Sequence, residues 1–289
     1  MTITRKEISM IIQDIMIPID GSEHARVAVA YGIYFAKKIK ASLTGIHVID
    51  LRLLHGPVFT DVSGSGIPSY DEFIPAIESS LDARAEAILQ DFKKQCEDEG
   101  VPSQSKKITG IIDDVIIEEG QGRCDWILLA QRGEHFHIDN GALLGSTTQS
   151  VVRRSGKPVL VTPGKYREIN SMAVAYDGSA PAEKALNLAA ELAKLTKWPL
   201  TVVTITANKG WGDEISKKAD DYLVPFAIQH KTMVIPGNEE QELLNFTGGK
   251  ETDLLVMGAY GHNKLRELVV GSITSLIMRK SDIPVLMTR

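Results

Sequence analysis

Only two cysteines, Cys96 and Cys124, occur in the 289 residues, and neither has a histidine or a second cysteine at metal-ligand spacing. That excludes a disulfide framework and a cysteine-based zinc site. Two reduced thiols in a cytoplasmic protein are expected instead. No apolar run reaches the roughly 18 residues of a membrane span, so no membrane association is expected. Residues 1–13 carry Arg5, Lys6 and Glu7 beside a short apolar patch, without the apolar core and cleavage site of a signal peptide. An excess of positive charge is also missing. A net charge of −5 and a pI near 5.8 argue against nucleic acid as a partner. Neither the dinucleotide glycine fingerprint nor a Gly-x4-Gly-Lys-Ser/Thr loop is present.

What is present suits one large or two ordinary globular domains, with 43% hydrophobic and 24% charged residues. The most informative stretch lies near the C-terminus. An apolar run, Leu254 to Met257, leads into Gly258-Ala259-Tyr260-Gly261. After nine intervening residues Gly271-Ser272-Ile273-Thr274 opens a helical pattern. Glycines let an anion approach backbone amides closely, and a helix N-terminus adds unpaired N–H groups and partial positive charge. The segment therefore reads either as a phosphate cradle or as a ligand-free glycine turn between strand and helix.

The chain repeats itself. An apolar run at 14–20 ends in Asp20-Gly21-Ser22, and Glu23 to Lys38 is an amphipathic helix pattern. Residues 171–179 end likewise in Asp177-Gly178-Ser179, ahead of a matching helix at Glu183 to Leu195. Farther on, Leu144-Gly145-Ser146-Thr147 through Val159-Leu160-Val161-Thr162 mirrors Val270-Gly271-Ser272-Ile273 through Val285-Leu286-Met287-Thr288. Strands and helices alternate in each copy, as in a parallel sheet. We place the join near Pro163 to Asn170, giving domains 1–165 and 166–289. The first copy is longer by about thirty residues, and residues 51–80, rich in Gly, Pro and Ser, are expected to hold most of them as a long loop before a helix at Ser80 to Asp98. It also has eleven residues between Gly133 and Gly145, where the second copy has nine between Gly261 and Gly271.

Strand-Asp-Gly-Ser, then Gly-x2-Gly-x9-Gly-Ser, then Ile-Pro-Val-Leu, together resemble the universal stress protein family in its tandem form. The resemblance implies an α/β fold of two open-sheet domains. Each would have a five-stranded parallel sheet in the order 3-2-1-4-5 between helices, similar to the adenine-nucleotide α-hydrolase group. It further implies ATP as ligand, with Mg²⁺ or Mn²⁺ carried on the phosphates and no metal site built from side chains. In the second copy Asp177 would meet the ribose, Ile205 the adenine, and Met257 with Gly258 the base and ribose side. Gly261, His262, Gly271, Ser272, Ile273 and Thr274 would wrap the phosphates, with Lys264 and Arg266 in the intervening arm. The first copy keeps Pro18, Asp20, Val48, Gly133, Gly145 and Ser146. It has Ala130 in place of the first glycine, and that methyl is expected to crowd the ribose and phosphates. Its lengthened arm carries His135, His137 and Asp139, read as solvated polar residues. The second copy is thus expected to bind nucleotide, and the first weakly or not at all.

The implied function is an ATP-binding regulator or nucleotide sensor in a stress response, with slow hydrolysis at most. No general base and no second metal-binding acid accompany the glycine motif. Two other readings are a nucleotide-independent interaction module and an adenylate-forming enzyme. The signature motifs of the enzyme, Ser-Gly-Gly-x-Asp-Ser or His-x-Gly-His, are absent. Last strands pair in this family, so an intramolecular pseudo-dimer through Val159–Thr162 and Val285–Thr288 is expected. A homodimer of chains and an unidentified protein partner would be compatible with it.

Overall fold

A computed structural model describes residues 12–54, 70–122, 124–133, 145–249, 251–259 and 272–289. The first copy comprises β1 (Asp14–Pro18), α1 (Glu23–Ile39), β2 (Ser42–Asp50), α2 (Leu51–Leu54), α3 (Tyr70–Asp98), β3 (Ser103–Gly110), α4 (Ile112–Gln121), β4 (Trp126–Ala130), α5 (Ser146–Arg154) and β5 (Val159–Thr162). The second comprises β6 (Met172–Ala175), α6 (Ala180–Thr196), β7 (Leu200–Ile205), α7 (Lys209–Leu223), β8 (His230–Ile235), α8 (Glu239–Gly248), β9 (Leu254–Gly258), α9 (Ser272–Lys280) and β10 (Val285–Thr288).

The strands form one ten-stranded sheet in the order β3-β2-β1-β4-β5-β10-β9-β6-β7-β8, so each half has the order 3-2-1-4-5. All pairs within a half are parallel, whereas β5 and β10 meet antiparallel, with Leu160 opposite Leu286. Helices cover both faces, which is why the central strands are nearly continuous apolar runs. Along β4, Trp126 and Leu128 face the core beneath α1, and Ile127 and Leu129 face the opposite core. The edge strand β3 instead alternates between exposed and half-buried residues.

The two copies use the same local chemistry to turn from strand to helix. Ser22 and Ser179 cap α1 and α6 by accepting from the amides of Ala25 and Ala182. Lys40 and Lys197 close the same helices in the left-handed region, at φ 60° and 63°. Cys96 and Cys124 are buried, and burial pushes the Cys124 thiol up to about 12.

The halves also touch beyond the sheet. Tyr31 Oη accepts from the Arg167 amide at 3.0 Å, and Tyr34 Oη donates to the Ile169 carbonyl, which ties α1 to the connecting segment. Trp198 stacks on Tyr34 with ring centroids 6.1 Å apart and meets Phe35 edge-on at 5.9 Å. Gln131 donates to the Ser281 carbonyl across the seam at 3.0 Å.

One expectation needs correction. Residues 51–80 are not a single long loop, because α2 occupies 51–54 and α3 begins at Tyr70, ten residues before Ser80. Pro75, within the stretch expected as loop, lies inside α3. As the sixth residue of the helix it cannot donate to the carbonyl four residues back, and its ring presses on that carbonyl.

Candidate nucleotide cleft

In the second copy the chain leaves β6 through Tyr176 and turns at Asp177-Gly178-Ser179. Asp177 Oδ1 accepts from the Ser179 amide at 2.9 Å, and Gly178 has φ +72°. The Tyr176 carbonyl accepts from Thr204 Oγ1 at 2.9 Å, which holds this turn against β7. The Asp177 carboxylate is thereby fixed at the C-terminal end of β6. There the neighbouring strands β7 and β9 lead away in opposite directions along the sheet, the crevice where open α/β sheets bind ligands.

A cavity of about 290 Å³ opens at this point. It brings together Asp177, Ile205, Met257, Gly258, Ile273 and Thr274 of the residues expected from sequence. Its wall is apolar at Ala175, Val203, Ile205, Leu243 and Met257. Gly261, His262, Gly271, Lys264 and Arg266 lie outside the described residues. Ser272 opens α9, and its side chain is also outside them.

The first copy repeats the construction. Asp20 Oδ1 accepts from the Ser22 amide at 2.9 Å, and Gly21 has φ +85°. Here the carbonyl before the aspartate, that of Ile19, lies 2.7 Å from His47 Nδ1 in place of a threonine hydroxyl. A cavity of about 350 Å³ gathers all six expected residues, Pro18, Asp20, Val48, Gly133, Gly145 and Ser146. A Cβ added at Gly133 would stand 2.9 Å from Asp20 Oδ2, so a side chain there would press on the carboxylate. His24 sits at the edge of this turn with its pKa lowered, first by burial and then by the Arg132 charge, against Asp20 and Glu23. His135, His137 and Asp139 lie outside the described residues. Among the described residues no three His, Cys, Asp or Glu side chains converge as a metal site would require.

With this geometry in view, comparison with known proteins decides the lineage. The universal stress protein family model matches residues 12–163 and 168–289. The chain belongs to the universal stress protein family. Universal stress protein Slr1230 of Synechocystis sp. is 30% identical over 96% of this chain and 100% of its own length. Universal stress protein MJ0577 of Methanocaldococcus jannaschii is 31% identical over 54% of this chain and 98% of its own length. Among solved structures, a universal stress protein from Archaeoglobus fulgidus DSM 4304 covers 96% of both chains with a TM-score of 0.74. At 20% identity that likeness is one of fold. Among the described residues no helix is long and apolar enough to cross a membrane.

Two points of the sequence reading change within the universal stress protein frame. A Cβ at Gly258 would meet the Pro181 carbonyl carbon at 2.6 Å, so this glycine is needed where β9 passes under the first turn of α6. The residue side at this position faces the helix. The Ala130 residue of the first copy likewise packs against the core beneath α1, while it also lines the first cleft. The second point is what sequence reasoning missed. Glu239 and Leu243 of α8 close the second cleft, and Arg52, Arg84 and Arg132 line the first. The four-residue spacing of Glu239 and Leu243 was an available signal. The arginines sit on three separate elements, and nothing in one dimension joins them.

Proposed function

We propose that this universal stress protein binds ATP in its second copy and acts as a nucleotide-dependent regulator or sensor in a stress response, with slow hydrolysis at most. The supporting observation is the convergence of Asp177, Ile205, Met257, Gly258, Ile273 and Thr274 on one cavity at the switch point of the sheet. Adenine would stack between Ile205 and Met257. The outer oxygen of Asp177 would accept from ribose hydroxyls while Oδ1 stays on Ser179. The phosphates would run toward the N-terminus of the nine-residue α9, where Ser272 and Thr274 open the helix. Mg²⁺ or Mn²⁺ would arrive on the phosphates and keep waters in its shell. What this chain's own residues do is bind and orient. The antiparallel contact of β5 with β10 suits a pseudo-dimer within one chain, through which nucleotide occupancy in one half would be felt by the other.

Calorimetric titration with ATP tests the reading. Asp177→Ala removes one hydrogen-bond acceptor of full charge, so ATP affinity is expected to fall about tenfold or more. A melting curve on the same variant separates lost binding from lost folding. Unchanged affinity in a folded Asp177→Ala protein, or no ATP or ADP released when the purified wild-type chain is denatured and no heat on titration, would sink it.

A further inference from the structure

The first cleft does not repeat the charge of the second. Arg52, Arg84 and Arg132 line it together with Asp20 and Asp50, whereas the charged residues lining the second among those described are Asp177 and Glu239. The repeat shows that Arg84 and Arg132 are replacements, whereas Asp20 has its counterpart in Asp177. Ile88 lies against Gly21 as Ile215 lies against Gly178, which sets Arg84 of α3 opposite Trp211 of α7. Arg132 precedes Gly133 where Tyr260 precedes Gly261. Ile112, the first residue of α4, stands where α8 begins with Glu239. Three changes on three elements thus make the described lining of the first cleft more positive than that of the second.

The placement of that charge is as informative as its sign. Arg52 and Arg84 are on the β2 side of the cleft, and Arg132 follows β4 on the other side of β1. Two strand spacings, roughly 10 Å, separate those sides. Arg52 is oriented by Asp50, with Nε 2.8 Å from Oδ1 and Nη2 2.6 Å from Oδ2. Beside Arg132, α5 begins after Gly145, which offers no side-chain cap to its first amides. Between the two sides the floor is apolar, formed by Pro18, Ile46, Val48 and Leu129.

From this arrangement we infer that the first copy is a second ligand site in its own right, for a small molecule with an apolar or aromatic middle and anionic groups at both ends. The inference stands apart from the ATP reading of the second copy. Arg52 and Arg84 would take one anionic group, and Arg132 with the α5 amides the other. Asp20 would accept from hydroxyls between them.

Adenosine 3′,5′-bisphosphate is a suitable probe, with AMP as the ligand lacking one anionic end. In calorimetric titrations of the full chain, the bisphosphate is expected to bind about tenfold or more tighter than AMP. Added salt should weaken the bisphosphate more than AMP. Arg84→Ala should remove most of the bisphosphate's advantage and leave AMP nearly unaffected, and Arg84→Lys should restore part of it. Arg52→Ala provides a second variant on the same side, and melting curves confirm that each is folded. No binding of the bisphosphate, binding no tighter than AMP, or an advantage that survives Arg84→Ala and Arg52→Ala alike would overturn the inference.

Discussion

The two halves of this chain are one fold built twice, and they differ where the fold is not at stake. Both turn from the first strand through Asp-Gly-Ser, with the glycine at positive φ and the serine capping the next helix. Both place an aspartate at the crevice beside the first strand. Around that shared frame the residues diverge in charge, in size and in reach across the seam. Duplicated backbone therefore does not carry duplicated chemistry. Position along the frame says where a ligand would lie, and the side chains at its rim say which ligand.

The largest expected asymmetry lies in the seam. Trp198 of the second copy, 4% exposed, crosses to stack on Tyr34 and to meet Phe35 of α1 edge-on, and the equivalent residue of the first copy is Ala41. Its indole nitrogen is buried without a hydrogen-bond partner among the described residues, and Lys38 Nζ lies 5.9 Å from the ring centroid, so packing and this cation contact account for its contribution. Trp198→Ala should cost about 3–4 kcal/mol, against about 1 kcal/mol or less for Ala41→Gly. Denaturant unfolding monitored on both variants gives the comparison. A loss for Trp198→Ala no larger than that for Ala41→Gly would mean that the Trp198 stack adds little to the other contacts that hold the halves together.

A smaller asymmetry separates Gly258 from Ala130. At Gly258 an added methyl meets backbone atoms of Pro181 at 2.6 and 2.8 Å, and these cannot swing aside as a side-chain tip would. In the first copy the residue aligned with Pro181 is His24, and alanine stands at position 130. Gly258→Ala is expected to destabilise by about 1–3 kcal/mol, and Ala130→Gly by about 1 kcal/mol or less. Thermal unfolding of the two single variants reads both. Equal losses would show that α1 and α6 approach their strands equally closely.

Gly258 also illustrates how far sequence carried the reading. Repetition of Asp-Gly-Ser and of Gly-Ser before a helix revealed the duplication, and the apolar runs marked the strands, because buried parallel strands are apolar on both faces. The family resemblance then supplied strand order and a set of cleft residues. Those residues converge in the structure wherever they are described. A glycine's reason for being there was harder to read, since phosphate contact and helix contact both demand a missing Cβ. Only the alternation along β9 shows which way position 258 faces. The helix at 70–80 was hidden by Pro75, which reads as a helix breaker although α3 runs through it. Arg52, Arg84 and Arg132 come together only once β2, α3 and β4 are assembled, so no local pattern announced them.

The smallest expected difference concerns two aspartates at the opposite, N-terminal end of the sheet. Asp125 accepts from the amides of Gln13 and Asp14 at 2.7 and 3.2 Å, and no arginine pairs with it among the described residues. Its counterpart Asp253 accepts from the Asn170 amide and Ser171 Oγ at 3.0 and 2.9 Å, and is also paired with Arg167 of the connecting segment. Burial by itself would raise the Asp253 pKa. The hydrogen bonds from Arg167, Asn170 and Ser171, together with the Arg167 charge, outweigh burial and hold the carboxyl below its ordinary value. A carboxyl with a folded pKa below the unfolded value adds stability above the unfolded pKa, about 3.9. That stability is lost as pH falls through the folded value. Asp253→Asn should therefore lower stability by about 1 kcal/mol at neutral pH, a modest figure because Arg167 is 38% exposed. The difference from wild type should shrink as pH drops below about 4. Asp125→Asn should cost less at neutral pH, since no guanidinium charge is involved. Melting temperatures of both variants at neutral and acid pH measure the pair. Equal shifts at neutral pH would show that the Arg167 charge adds nothing to the hydrogen bonds, and that the connecting segment is held by its backbone contacts with Tyr31 and Tyr34 instead.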